Sequence, residues 1–370
     1  MREEQCRGMQ KEIGSNFYLN PENDYRPEHS LLLSDIKIEG SDAVFVSTGR
    51  SAENLVLDEI GAGNPHAAKV ALIPPYTCET VIAPFLKHGY TLRAYPVRED
   101  LRTTPEMLSR AIEESGASVV LLHSFFGFDS LPDCETVLRR YASREVVFIE
   151  DRTQSLFSGF PALPAAYVTG SLRKWTGMPD GGFAVCRDGH FSVKPTEYDR
   201  ELTKAKMNAS FLKYRYLFQG IGEKAAFLNE YRVAEDILDA QSQYYAISPA
   251  SEAVFLQLDT SELRRKRREN YQVILDRTRN LDGVTPVCGE LTGEVTPLYF
   301  LLLTENREKL QIKLRQADIF APIVWSKSEF LPDVCAEAGT LYRHSLCIPI
   351  DQRYDTDDME RVVKRIREVM

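Results

Sequence analysis

Residues 146–154 read VVFIEDRTQ and residues 167–185 read YVTGSLRKWTGMPDGGFAV, and these two stretches decide the fold. In the first, an apolar run ends on Asp151, with Gln154 three residues on. In the second, a further apolar run leads to Ser171, Lys174 and the pair Gly181-Gly182, which opens another apolar run, Phe183 to Cys186. Taken singly, an aspartate after a strand is usually a turn or cap residue and a lysine is usually solvated. Together they match what pyridoxal phosphate (PLP) chemistry needs. That chemistry requires an amine to form a Schiff base with the cofactor aldehyde and a carboxylate to keep the pyridine nitrogen protonated, so that the ring accepts electrons.

Outward from these stretches, short apolar runs alternate with amphipathic segments between about residues 40 and 190. The runs are Ala43 to Val46, Val70 to Ile73, Leu92 to Tyr95, Val119 to Leu122, Val146 to Ile149, Ala166 to Thr169 and Phe183 to Cys186. Helical spacing marks Glu53 to Ile60, Thr80 to Lys87, Pro105 to Glu114 and Cys134 to Tyr141. Alternation of this kind predicts an α/β fold with a mostly parallel seven-stranded sheet covered on both faces. Residues 200–275 read as long connecting helices without a strand. After Gly283 the pattern is strand (Pro297 to Leu303), helix (Glu305 to Gln316), strand (Ile319 to Val324), loop, strand (Leu346 to Ile350) and a closing helix capped by Asp355. Two domains are therefore expected, a large cofactor-binding one over 1–247 with an N-terminal arm and a small C-terminal α/β one over 248–370.

Composition narrows the function classes. With 43% hydrophobic and 27% charged residues the chain is an ordinary globular one, and a net charge of -9 argues against nucleic-acid partners. The basic run RRKRR at 264–268 falls among apolar residues at helical spacing and reads as a solvated helix face. No apolar run is long enough to span a bilayer, and the opening MREEQCRGMQKEIG lacks a hydrophobic signal core, so a cytoplasmic protein without a membrane partner is expected. Seven cysteines without C-x-x-C spacing fit reduced thiols, and six histidines without ligand spacing predict no metal.

The turn Thr48-Gly49-Arg50-Ser51, between the first strand and the first helix, is a candidate phosphate site, because free N–H groups and the helix dipole gather there. An ordinary capping turn is the alternative reading. In this order VSTGRSAENLV (46–56), IPPYTCET (73–80), LHSFFG (122–127), FIEDRTQS (148–155), SLRKW (171–175), GGFAV (181–185), ISPASEAVFLQLD (247–259) and SLCIPIDQRYDTDDMERV (345–362) make a pattern. It resembles fold type I PLP enzymes and, within them, the DegT/DnrJ/StrS family of sugar aminotransferases.

By that resemblance Lys174 is the Schiff-base lysine, Asp151 the partner of the pyridinium nitrogen, Gln154 a partner of the cofactor's phenolic oxygen, and Ser171 a phosphate-binding hydroxyl beside the Gly49-Arg50-Ser51 turn. Arg50 stands where the family commonly has a threonine, and its guanidinium is a candidate to bind the phosphate directly. Cys78 stands where the family commonly has a stacking aromatic ring, which leaves Tyr76 as the candidate for stacking. Tyr244-Tyr245-Ala246 stands where the family often has an Asn and an Arg. His123, ending a strand at the same edge, is a candidate for the pocket wall, with a packed histidine as the alternative. Arg343 is the candidate clamp for a donor carboxylate, with a surface arginine as the alternative. The resemblance implies amino transfer from an amino acid, glutamate by analogy, to a keto sugar or nucleotide-linked keto sugar, in a homodimer. Elimination or aldol cleavage on the same cofactor, or a noncatalytic binding protein, are the competing readings.

Overall fold

Each of the seven apolar runs forms a strand of one sheet. The computed structural model describes residues 12–332 and 334–370; most of the opening stretch read for a leader lies outside the described residues. A two-residue strand β1 (Ile13–Gly14) and a short helix α1 (Leu33–Ile36) precede β2 (Asp42–Val46), α2 (Gly49–Gly63), β3 (Val70–Ile73), α3 (Glu79–Lys87) and β4 (Thr91–Ala94). Next come α4 (Pro105–Ser115), β5 (Val119–His123), α5 (Glu135–Ala142), β6 (Val147–Asp151), β7 (Tyr167–Ser171) and β8 (Gly182–Cys186). The sheet order is β2-β8-β7-β6-β5-β3-β4, with β8 antiparallel to both of its neighbours and the other pairs parallel.

Alternation along β5 shows why the runs are continuously apolar. Val119 and Leu121 pack into the cluster under α2 and α3, whereas Val120 and Leu122 face the opposite cluster, which continues into the C-terminal layer. Both faces of the strand are therefore buried.

The connecting segment forms α6 (Arg200–Tyr214), α7 (Lys224–Asp239), α8 (Pro249–Leu256) and α9 (Thr260–Thr278). The C-terminal layer follows as β9 (Thr285–Pro286), β10 (Tyr299–Leu303), α10 (Arg307–Arg315), β11 (Ile319–Phe320), α11 (Ala336–His344), β12 (Ser345–Pro349) and α12 (Thr356–Arg367). Its antiparallel sheet runs β12-β10-β9, and the Asp355 carboxylate caps α12 by accepting from the N–H groups of Asp357 and Asp358. β1 pairs in parallel with β11, which ties the N-terminal segment to this layer.

Three expectations change. The strand read over 319–324 stops at Phe320, just ahead of Pro322, which has no N–H to donate to a ladder. The segment read as a loop holds α11, which buries only Ala338 and Leu341 and so gives little periodic signal. The basic run lies on α9 but is not wholly solvated. Arg267 is 1% exposed, donates to the carbonyls of Pro297 and Leu298, and lies over the Trp175 ring. The six described cysteines are unpaired.

Candidate active site

The C-terminal ends of β5, β6 and β7 meet at one sheet edge, where the register sets His123 beside Asp151 and Asp151 beside Thr169. Beyond them opens a cavity of about 590 Å³, within the size range of cofactor and ligand sites. Gly49, Arg50, His123, Asp151, Gln154, Ser171 and Lys174 all line it.

Asp151 is the last residue of its strand and is buried. One carboxylate oxygen accepts from the N–H of Thr153 at 2.8 Å, and the other lies 3.4 Å from Nδ1 of His123. Burial lowers the pKa of His123 more than Asp151 raises it, so the ring is neutral at physiological pH. A neutral imidazole can orient Asp151 without forming an ion pair with it.

Gln154 is oriented by the backbone. Its Oε1 accepts from the N–H of Phe126 at 2.7 Å. Because a backbone N–H only donates, this bond leaves the amide NH₂ to serve an acceptor in the cavity. The loop that presents Phe126 is tightly constrained: Phe126 itself has φ 52°, and Gly127 has φ 95°. A Cβ on Gly127 would stand 2.0 Å from the carbonyl oxygen of Thr296.

Lys174 ends a single 3₁₀ turn that follows β7. That turn is fastened on two sides. The N–H of Leu172 donates to Gly181 at 3.1 Å, the Trp175 indole N–H donates to the Thr153 carbonyl at 2.9 Å, and the Gln352 amide donates to the Trp175 carbonyl at 2.7 Å. Trp175 is fully buried, a core residue that anchors the turn. Lys174 is exposed and also lines a second, adjoining cavity of about 350 Å³.

At the other end of the cavity α2 begins. The Thr48 hydroxyl accepts from the N–H of Ser51 at 2.9 Å and meets the Ser51 hydroxyl at the same distance, which satisfies one first-turn donor. The remaining first-turn amides have no carbonyl one turn earlier to reach. β8 crosses directly beneath: a Cβ on Gly182 would lie 2.4 Å from the Thr48 oxygen and 2.5 Å from the Gly49 nitrogen, so only glycine fits there. Ser171 faces this turn, with its Cβ 3.2 Å from where a Cβ on Gly49 would stand.

No protein-family model matches the chain, and comparison with curated proteins finds no match. Solved structures do match. The sugar aminotransferase CalS13 from Micromonospora echinospora is 18% identical, with 97% of this chain and 100% of that one covered at a TM-score of 0.68. PseC from Helicobacter pylori, an aminotransferase of pseudoaminic acid biosynthesis, is 14% identical over 97% and 99% of the two chains, with a TM-score of 0.70. The E. coli GDP-4-keto-6-deoxy-D-mannose-3-dehydratase, solved with bound hydrated PLP, is 15% identical over 90% and 89%, with a TM-score of 0.64. The chain shares the fold of these enzymes.

On this fold, three of the residues singled out in the sequence do not reach the cavity wall. Ser51 is occupied with Thr48 in the cap. Tyr76 is buried away from it, its hydroxyl bonded to Ser345 at 2.9 Å and its ring edge-on to Trp325 and Tyr342, because the apolar cluster between the two layers takes it up. Arg343 is exposed on the last turn of α11 and does not line the cavity. Cys78 does line it, and so does Trp325. Tyr244-Tyr245-Ala246 runs alongside β2, with Ala246 bridged to Val46 and the Tyr245 carbonyl accepting from Ser47 at 3.0 Å.

Other wall residues carry no motif. Glu53, in the second turn of α2, is 4% exposed, and its Oε1 has no hydrogen-bond partner. Burial first, then the nearby Asp151 and Cys78, raise its pKa well above its ordinary value, which favours the protonated acid at the cavity wall. The signal was present: an acid inside the apolar run AENLVL. The α6–α7 hairpin contributes Lys206, Tyr231, Glu235 and Asp239. Among the described residues no group of three or more His, Cys, Asp or Glu could hold a metal ion, and no helix is long and apolar enough to cross a membrane.

Proposed function

We propose that this chain is a PLP-dependent aminotransferase of the DegT/DnrJ/StrS family that moves an amino group from an amino acid, with glutamate as the working donor, to a keto sugar or nucleotide-linked keto sugar. The observation that carries the reading is the convergence of Lys174, Asp151, Gln154, Ser171 and Gly49 on one cavity wall. The donor set fits the cofactor's polar atoms. Asp151, held by Thr153, would hold the proton on the ring nitrogen; the Gln154 NH₂, freed by the Phe126 bond, would donate to the phenolic oxygen. The first-turn amides of α2 and the Ser171 hydroxyl would take the phosphate.

Bound there, PLP supplies an electron sink for the bonds at the substrate's α carbon. Lys174 Nζ is the amine that would hold the aldehyde and, once released, carry the α proton as base and then acid. Its position between two adjoining cavities lets one amine serve a cofactor on one side and an incoming substrate on the other. His123 is a positioning residue behind Asp151. The reading brings with it a homodimer, for which exposed Phe218, Ile221 and Leu228 around the turn of the α6–α7 hairpin offer apolar surface.

The test is optical. Purified chain mixed with PLP should gain a visible absorption band, and glutamate should bleach it while 2-oxoglutarate accumulates. No band after PLP addition would overturn the cofactor; a band that no amino acid alters would favour the noncatalytic reading. Light scattering reports the dimer, and a strictly monomeric chain overturns that part.

A further inference from the structure

One part of the cavity wall is unlike the rest. The antiparallel helices α6 and α7 lie over the end of the cavity where α2 begins, and they belong to the same chain as Lys174. Lys206 on α6 has only 8% of its side chain exposed and forms an ion pair with Glu235 of α7. Glu235 also pairs with Arg173 at 3.3 Å, and Asp239, one turn further along α7, pairs with Arg50 at 3.0 Å. Arg50, Arg173, Lys206, Glu235 and Asp239 all line the cavity.

Charge accounting makes this wall a site. Three cations face two carboxylates there, so the wall is net positive by one. A buried ammonium is costly unless it is paired and hydrogen-bonded. Lys206 has three N–H donors, shares its one carboxylate with Arg173 and otherwise has the Tyr231 ring 5.8 Å from its Nζ, so N–H donors remain for an anion. Burial, and then Arg173, lower its pKa accordingly. A second anion would supply what is missing.

The hairpin is also held firmly enough to act as a wall. Lys213 of α6 pairs with Glu12 at 3.0 Å and donates to the Asn16 carbonyl at 2.6 Å, while the Tyr231 hydroxyl of α7 donates to the Phe17 carbonyl at 2.7 Å. Residues 15–17 are themselves part of the cavity wall.

We propose that the α6–α7 hairpin completes the phosphate end of the cavity from within the same chain, with Lys206 as an anion contact held beside Arg173 by their shared carboxylate, Glu235. The anion is a phosphate. The cofactor's own is favoured over the diphosphate of a nucleotide sugar, because Arg50 and Arg173 flank the Gly49–Ser171 turn. This inference rests on the PLP reading above.

The experiment compares PLP with pyridoxal, which lacks the phosphate, binding to the full chain by absorbance titration. Lys206→Met should weaken PLP binding by about 10- to 100-fold, the worth of a hydrogen bond to a charged group, and leave pyridoxal binding within about twofold, well under a tenfold step. Lys206→Arg should restore most of the difference, and Lys204→Met, an exposed site on the same helix, should show wild-type binding. Glu235→Gln, which frees both cations and keeps the test available if Lys206→Met fails to fold, should tighten PLP relative to pyridoxal. Unchanged PLP binding in Lys206→Met, or in Glu235→Gln where Lys206→Met fails to fold, overturns the inference alone. Wild-type chain that binds neither compound overturns the cofactor reading and this inference with it. If UDP binding falls in Lys206→Met while PLP binding holds, the anion is the substrate's and the assignment to the cofactor is overturned.

Discussion

The cavity has two unlike halves. Its floor is sheet: Asp151, Ser171 and the Lys174 turn stand at strand ends and are fixed by ladder register and backbone hydrogen bonds. Its far wall is the α6–α7 hairpin, held by side-chain ion pairs and by the N-terminal segment. The floor places reacting atoms to within the tolerance of a strand; the wall places charge, and long side chains suffice for that. Chemistry should therefore be concentrated in the floor, and affinity in the wall.

The largest effect that would break this contrast is expected at Lys174. Lys174→Ala should lower transamination by about 10³-fold or more, in keeping with the loss of a group that is both nucleophile and proton carrier, while circular dichroism stays that of the wild type. Activity surviving within tenfold would move the chemistry away from the floor. Next comes Gly182→Ala. The added methyl collides with backbone of the Thr48–Gly49 turn, so we expect a loss of about 1–3 kcal/mol in denaturant unfolding together with weaker PLP binding.

The smallest effects sharpen the contrast through pH. Glu53, on α2 beside the floor, has a raised pKa, so its contribution to stability is full below its unfolded value and is lost as pH rises through the folded value. Lys213 in the hairpin is opposite. Burial outweighs the attraction of Glu12 and lowers its pKa from 10.5 to about 8, so its contribution is full above the unfolded value and is lost as pH falls through about 8. Thermal unfolding across pH should thus show Glu53→Gln gaining on the wild type as pH rises from acid, and Lys213→Met losing ground to it above about pH 8. Each slope is bounded by about 1.4 kcal/mol per pH unit for a single proton. Parallel curves for either variant would refute its assignment.

Legibility followed the same division. That Asp151, Gln154, Ser171, Lys174 and Gly49 share one cavity was legible, because strand, loop and glycine spacing fix the edge at which such residues gather. Lys206 and Glu235 were not, since they sit on helices whose packing against the body has no local signature. Tyr76 and Arg343 lie off the cavity for another reason: position along the chain brought them near that edge, but burial in the interlayer cluster and exposure on α11 decided where they ended. Arg267 shows the same limit, one arginine in a charged run turned inward by its place on the helix.

The pairing of β1 with β11 joins Ile13 to Ile319, and the Tyr354 hydroxyl accepts from the N–H of Gly14 at 2.7 Å. A stretch of wall at residues 15–17 is therefore held through partners roughly 300 or more positions further along the sequence. The strands of the large sheet pair with partners closer in sequence than these, and loop closure over long separations makes such distant contacts slow to form. We expect this part of the cavity wall to close after the sheet beneath it has formed.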